Sequence, residues 1–371
     1  ALARIGLASA PPARLVARAF TPALVVWLPL CLAALIGPRT GEGVTVPFLH
    51  DLATHIRFLV FVPILILIES SIGRRTRIVA AQFLDANLVA AADRDRYRDL
   101  LRRASGAFGS GIAEAVIAAL AVFFVWSALR GFRADGVLFW FEAPTADGGE
   151  RLNGIGWWYA AGSLLPPFLF LRWVWRYCVW CWLLQRLSRF DLQLVATHPD
   201  HAAGLAFVSL GHTAFAQLGF AASCLVAGAV GTRILYEGAS FLSFQWPLAV
   251  FIALSVAVGI SPLAVFWRPL RMAKERGLVD YGSFCLRYAQ EFQQRWIGTK
   301  AGERPIDAQD DIGPLADIGA SFERVFTMQM LPLRPRDALT FALASLAPML
   351  PLALTVMPLK DLLKLLMQAM I

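Results

Sequence analysis

The sequence predicts an all-α fold: a polytopic transmembrane helical bundle of about seven spans with short cytoplasmic helical extensions. Three observations lead there. Of 371 residues, 58% are hydrophobic and only 16% charged, with a mean hydropathy of +0.59, whereas a soluble domain carries about a quarter charged residues. Seven apolar stretches approach the ~20 residues that cross hydrocarbon as a helix. Of the 34 basic residues, 24 fall in the segments on one side of those stretches.

The first stretch, 20–37, follows Arg4, Arg14 and Arg18. More apolar stretches come after it, so it reads as a retained first helix rather than a cleaved leader. The next are 56–73, 111–129 and 157–182; the last of these is longer than a span requires and contains Pro166-Pro167, which predicts a kink. Then come 213–234, 246–267 and 338–357. Trp157 and Trp158 open the fourth, and Trp246 and Trp267 bracket the sixth, as aromatic residues do at membrane interfaces.

Orientation follows from the flanks, because Arg74, Arg75 and Arg77 end the second span while Arg268, Arg271, Lys274 and Arg276 end the sixth. Basic loops stay in the cytoplasm. The expected plan is therefore a cytoplasmic segment 1–19, six spans over 20–267 with a helical cytoplasmic loop at 74–110, a cytoplasmic helical segment 268–337, and a last span with an amphipathic C-terminal helix over 338–371. Helices are expected near 74–104, 272–296 and 314–326, and an interfacial amphipathic helix at 358–371.

The net charge of +8 resides in those loops and reads as topology, not as a nucleic-acid surface. Cys31, Cys178, Cys181, Cys224 and Cys285 imply no disulfide framework, and Cys178-Val-Trp-Cys181 lies among aromatics, which favours packing over redox chemistry. No glycine-rich nucleotide loop occurs, so no cofactor is expected, and no catalytic signature stands out.

Arg172 and Arg176 share a face of the fourth span, one turn apart. Charges within a span face a polar interior or path, or else snorkel to the interface. Glu69 in the second span and Glu114 at the start of the third are their candidate partners, and the four are the expected transport or gating residues. The string THPDHAAGL at 197–205 is expected to start a helix, with Pro199 in its first turn and Asp200 against its dipole. The alternative is a metal or proton site made by His198, Asp200 and His201, which lie within four positions. On the outer side, His50, Asp51 and His55 precede Arg57 as either a proton-sensitive cluster or a solvated loop.

THPDHAAGL, the later DDIGPLADIGASFERV and the closing PMLPLALTVMPLKDLL resemble a group of bacterial multi-spanning inner-membrane proteins with a similar THPD-x-x-x-G-L segment. The resemblance covers mainly the C-terminal half and implies the bacterial inner membrane without bringing an activity. From the residues, the first functional expectation is a transport protein, an oligomeric ion channel with an arginine-bearing, anion-accepting path. The alternatives are a membrane enzyme using the His/Asp cluster at the cytoplasmic interface, and a non-catalytic scaffold or sensor. The expected partners are the bilayer, further copies of the chain, and anionic lipid at the basic cytoplasmic helices.

Overall fold

The computed structural model describes residues 12–36, 47–132, 140–144, 150–236, 238–296 and 309–353. The architecture is helical, with one two-stranded antiparallel hairpin, β1 (Glu142–Pro144) with β2 (Glu150–Leu152), in register Glu142 to Leu152. Five helical stretches are long and apolar enough to cross a membrane: Leu15–Leu35, Leu52–Asp85, Ala91–Arg130, Phe207–Leu235 and Phe241–Gln294. Helices dominate because hydrocarbon offers no hydrogen bonds to the backbone, so each segment must satisfy its own N–H and C=O groups.

The first rod is α1 (Pro12–Ile36). After a 3-10 turn at Phe48–His50 come α2 (Leu52–Ile56), a π-helical turn at Arg57–Phe61 and α3 (Val62–Asp85). Pro63, with no N–H to donate, lies two residues beyond that turn. The chain reverses through Asn87, whose φ of 53° is left-handed, into α4 (Arg94–Phe108). Tyr97, Leu100 and Ala104 share the buried face of α4, while the ion pairs Arg98–Asp95 and Arg102–Asp99, both 2.9 Å, line its wet face.

Next, α5 (Gly111–Phe132) packs mainly on α7 (Leu165–Leu187) and leaves Ile112, Phe123, Phe124 and Trp126 exposed; only 11% of its most apolar window is buried. The expected kink in the fourth apolar stretch is a break: α6 (Gly154–Gly162) ends, and α7 begins with the prolines in its first turn, where their missing N–H groups cost nothing. Because α7 also carries Arg172 and Arg176, it is not among the five strongly apolar stretches.

The C-terminal half contains α8 (Phe207–His212), α9 (Ala216–Tyr236), α10 (Gln245–Ile260), α11 (Trp267–Trp296), α12 (Gln309–Phe326), α13 (Pro335–Leu346) and α14 (Leu350–Ala353). The helix expected at 272–296 is a continuation of the sixth stretch through α11, and the helix expected at 314–326 is α12. The expected amphipathic helix at 358–371 lies outside the described residues. The largest buried cluster sits at the charged end of the molecule, where α3, α4, α7, the 188–206 loop, α8 and the start of α11 converge.

Pro262 sets the form of the sixth stretch. Its ring removes the N–H that Val258 O would accept in an unbroken helix, and residues Ser261–Phe266 narrow to a 3-10 turn. The Tyr177 hydroxyl on α7 donates to Val258 O at 2.5 Å. Beside it the fully buried His212 ring bonds Gly259 O through Nε2, while Trp180 Nε1 donates to His212 Nδ1 at 3.1 Å. An acceptor at Nδ1 and a donor at Nε2 define one neutral tautomer with both nitrogens used. Gly259 has no side chain because a Cβ there would meet the Phe341 ring at 2.5 Å.

These contacts predict a graded response. Tyr177→Phe removes one donor and should lower stability by about 1 kcal/mol, whereas His212→Leu strands both Trp180 N–H and Gly259 O and should cost about 2–4 kcal/mol. Thermal melts of detergent-purified variants check the order; a His212→Leu protein as stable as wild type would contradict it.

Candidate functional site

At the charged end of the bundle, α3, α5 and α7 bring four charges into a row. Arg176 Nη2 lies 2.8 Å from Glu69 Oε1, and its guanidinium sits 5.0 Å over the Trp173 ring. Arg172 Nε stands 3.9 Å from Glu114 Oε1, a long ion pair without a hydrogen bond; that Nε is buried and has no hydrogen-bond partner. The two pairs thus differ: Arg176 is tied down and Arg172 is held loosely. Glu69 and Glu114 are about half exposed, facing outward from a single chain beside the apolar face of α5.

The height of the row is set by neighbouring contacts. Trp175 Nε1 donates to Ala107 O at 2.9 Å, at the end of α4, and Glu114 lies in the first turn of α5. Both arginines therefore sit where the apolar length of α5 begins, one turn apart on α7. Trp173 Nε1 donates to Leu65 O at 2.7 Å and fixes α7 against α3.

The 197–205 string is built differently from either expectation. It does not start a helix; the next helix, α8, begins at Phe207. Instead Asp200 gathers the loop around its carboxylate: Oδ1 accepts from Ala202 N at 2.9 Å and Gly204 N at 3.0 Å, and Oδ2 accepts from Ala206 N at 3.0 Å. His198 Nδ1 lies 2.8 Å from Oδ1. This gathering places His201, Ala203 and Gly204 at φ of 55°, 52° and 93°. Such left-handed residues are costly outside glycine, and the Asp200 bonds compensate for them.

Burial pushes the Asp200 carboxyl up, but the N–H groups of Ala206, Ala202 and Gly204, with His198, outweigh it and hold the group below its ordinary value. His201 turns the other way: its carbonyl accepts Gln329 N–H at 2.8 Å, and its Nδ1 lies 3.2 Å from Thr327 Oγ1. His198 and Asp200 are thus together, and His201 is not with them. Among the described residues no three His, Cys, Asp or Glu side chains converge to hold a metal.

The opposite end carries a network that sequence reading treated as a possible solvated loop. Asp51 is buried, accepts from Thr54 N at 3.0 Å and Thr54 Oγ1 at 2.6 Å, and takes a further bond from Trp140 Nε1 at 3.2 Å. Arg57, at the start of the π-helical turn, donates to Tyr159 OH at 2.8 Å, and Trp27 Nε1 donates to His55 Nδ1 at 2.9 Å. Phe48, Trp140 and Tyr159 stack edge to face around them. Asp51 and His55 are structural partners here, and His50 closes the 3-10 turn beside them. Sequence reasoning missed Tyr159 and Trp140, and it placed His212 only near the 197–205 string, not with Tyr177 and Trp180; for these three the one available signal was Pro262 inside an apolar span, which implies freed carbonyls needing donors from elsewhere.

A carboxylate whose native pKa is depressed contributes stability that is present above the unfolded value of ~3.9 and lost as pH falls through the native value. Asp200→Ala should therefore cost about 2–4 kcal/mol near neutral pH, and the wild-type advantage over it should shrink as pH falls below ~4. Melting both proteins from neutral to acidic pH checks this, and an advantage that grows on acidification would contradict it.

No family model matches this chain, and neither a curated protein nor a solved structure is similar to it at a significant level.

Proposed function

We propose that the chain is a membrane transport protein, an oligomeric ion channel in which Arg172 stands at the mouth of an anion-accepting path. The observation that carries the reading is the charge row itself. Glu69, Glu114, Arg172 and Arg176 lie on the outside of one chain, partly exposed, next to a helix whose apolar surface is left uncovered. A guanidinium in hydrocarbon costs about 3 kcal/mol on insertion scales and more for an isolated helix. Association of several chains through α5 and α7 would turn that row from lipid toward a shared water-filled path. Arg172 is its natural anion contact, because its side chain is partly exposed and its carboxylate partner lies at 3.9 Å without a hydrogen bond, whereas Arg176 is already neutralised by Glu69 at 2.8 Å.

The same reading places seven spans in a bacterial inner membrane, with α6–α7 and α13–α14 joining the five strongly apolar stretches and the N-terminus in the cytoplasm. Support for this orientation is the concentration of basic residues at the end holding α4, the 188–206 loop and α11. The enzyme alternative has less support, because the Asp200 carboxylate is occupied by three backbone N–H groups and His201 points elsewhere.

In liposomes, wild type should conduct anions, Arg172→Gln should lose anion selectivity, and Arg176→Lys should stay near wild type, since lysine keeps the charge beside Glu69. Wild-type protein that passes no ions across a range of voltage and pH would remove the channel reading. Unchanged selectivity in Arg172→Gln would remove this residue from the path.

A further inference from the structure

Where the sixth stretch runs on into α11, a groove of about 510 Å³ opens between the first turns of that helix and the 188–196 loop. Arg268, Met272, Arg276 and Asp280 are each four residues apart, so they form one stripe along α11 and make one wall. Arg189 and Asp191 come from the facing loop. The floor depends on Gly277, since a Cβ there would come within 2.8 Å of the Ala196 methyl and 3.0 Å of Val325; glycine lets the loop close against the helix.

The three arginines are exposed, and among the described residues none of their guanidinium groups makes an ion pair or a hydrogen bond. Other arginines nearby are committed: Arg271, for example, bonds Glu275 at 2.7 Å one turn along the same helix. Three free guanidinium groups lining one cavity form a receptor for phosphate oxygens, which they meet with paired donors.

We propose that this groove binds the phosphodiester headgroup of an anionic glycerophospholipid in the adjoining leaflet. Three features favour a lipid over a soluble phosphate. Trp267, an interfacial residue by type and exposed, immediately precedes Arg268, and exposed Met272 continues the same wall, so the groove has an apolar lip beside the bilayer surface. The cavity falls within the usual range for small ligands of ~300–1,000 Å³. Finally, Asp191 and Asp280 offset two of the three positive charges, leaving one, which matches a singly charged phosphodiester better than a doubly charged phosphate monoester. Their carboxylates accept hydrogen bonds from headgroup hydroxyls, so a glycerol headgroup fits where a choline headgroup has no donor to offer.

The test uses the full chain purified in detergent and counts bound lipid by native mass spectrometry. With phosphatidylglycerol added, wild type should retain it in preference to phosphatidylcholine, and excess inorganic phosphate should not displace it. Arg268→Gln with Arg276→Gln should weaken retention by about fivefold per arginine. The same charge change on α4, Arg98→Gln with Arg102→Gln, should leave retention at the wild-type level. Equal loss in the α4 pair would assign binding to diffuse charge, and displacement by inorganic phosphate would make this a soluble-phosphate site; either result overturns the proposal. Should the double glutamine variant melt early, Arg268→Lys with Arg276→Lys keeps the charge and should retain more lipid than the glutamine pair. Lysine variants that lose all lipid while folding normally would also overturn it.

Discussion

The constraint on which the rest of this structure depends is that a backbone carbonyl freed inside an apolar span must find a donor within the protein. Pro262 frees one at Val258, and the 3-10 turn that follows disturbs its neighbour. Besides the Ser261 hydroxyl, which donates to Val258 O at 3.2 Å from the same stretch, the donors come from two other helices, Tyr177 on α7 and His212 at the end of α8, with Trp180 holding the histidine ring in its tautomer. That arrangement locks α7, α8 and α10 together at one height.

The charged end is organised around a second interaction of the same kind. Asp200 collects three N–H groups of its own loop and so fixes the backbone that carries His201 to the end of α12. Leu88 and Val89 meet Gln193 and Leu192 on the other side of that loop, through a 2.8 Å bond and an isolated bridge. A segment with little regular structure thereby becomes the joint between the α3–α4 corner and the α11–α12 pair. Its carboxylate is a structural centre, which explains why an acidic residue and two histidines so close in sequence do not form one ligand set.

Much of the helical plan was legible in the residues. Apolar run length marked α5 and α9 to within a few positions, because in lipid length and hydropathy act directly on the backbone; α1 starts well before the expected span 20–37, and α10 ends at Ile260, before the expected 267, because Pro262 breaks it. The helix expected over 74–104 forms as two, the end of α3 and then α4, with the chain reversing through Asn87 between them, while Pro166-Pro167 marked the break before α7. Pairings across the bundle were less legible: Glu69 and Glu114 were identified as partners of the arginines, but not which belonged to which, since helix rotation decides it. The 197–205 string misled because Thr-His-Pro-Asp is compatible both with a helix start and with the Asp-centred loop that forms. Only the left-handed residues downstream distinguish the two. Asp51 and Arg57 looked like solvated loop residues because their partners, Trp140 and Tyr159, are about a hundred positions away.

The central claim is that the row Glu69, Glu114, Arg172 and Arg176 faces water and not lipid in the assembled protein. Spin labels at Glu114→Cys and Phe123→Cys, one near the row and one on the exposed apolar face of α5, test it directly in reconstituted bilayers. The account predicts that position 114 is relaxed strongly by a water-soluble nickel chelate and weakly by oxygen, with the reverse at 123. Oxygen-dominated relaxation at both positions would place the row in lipid and contradict it.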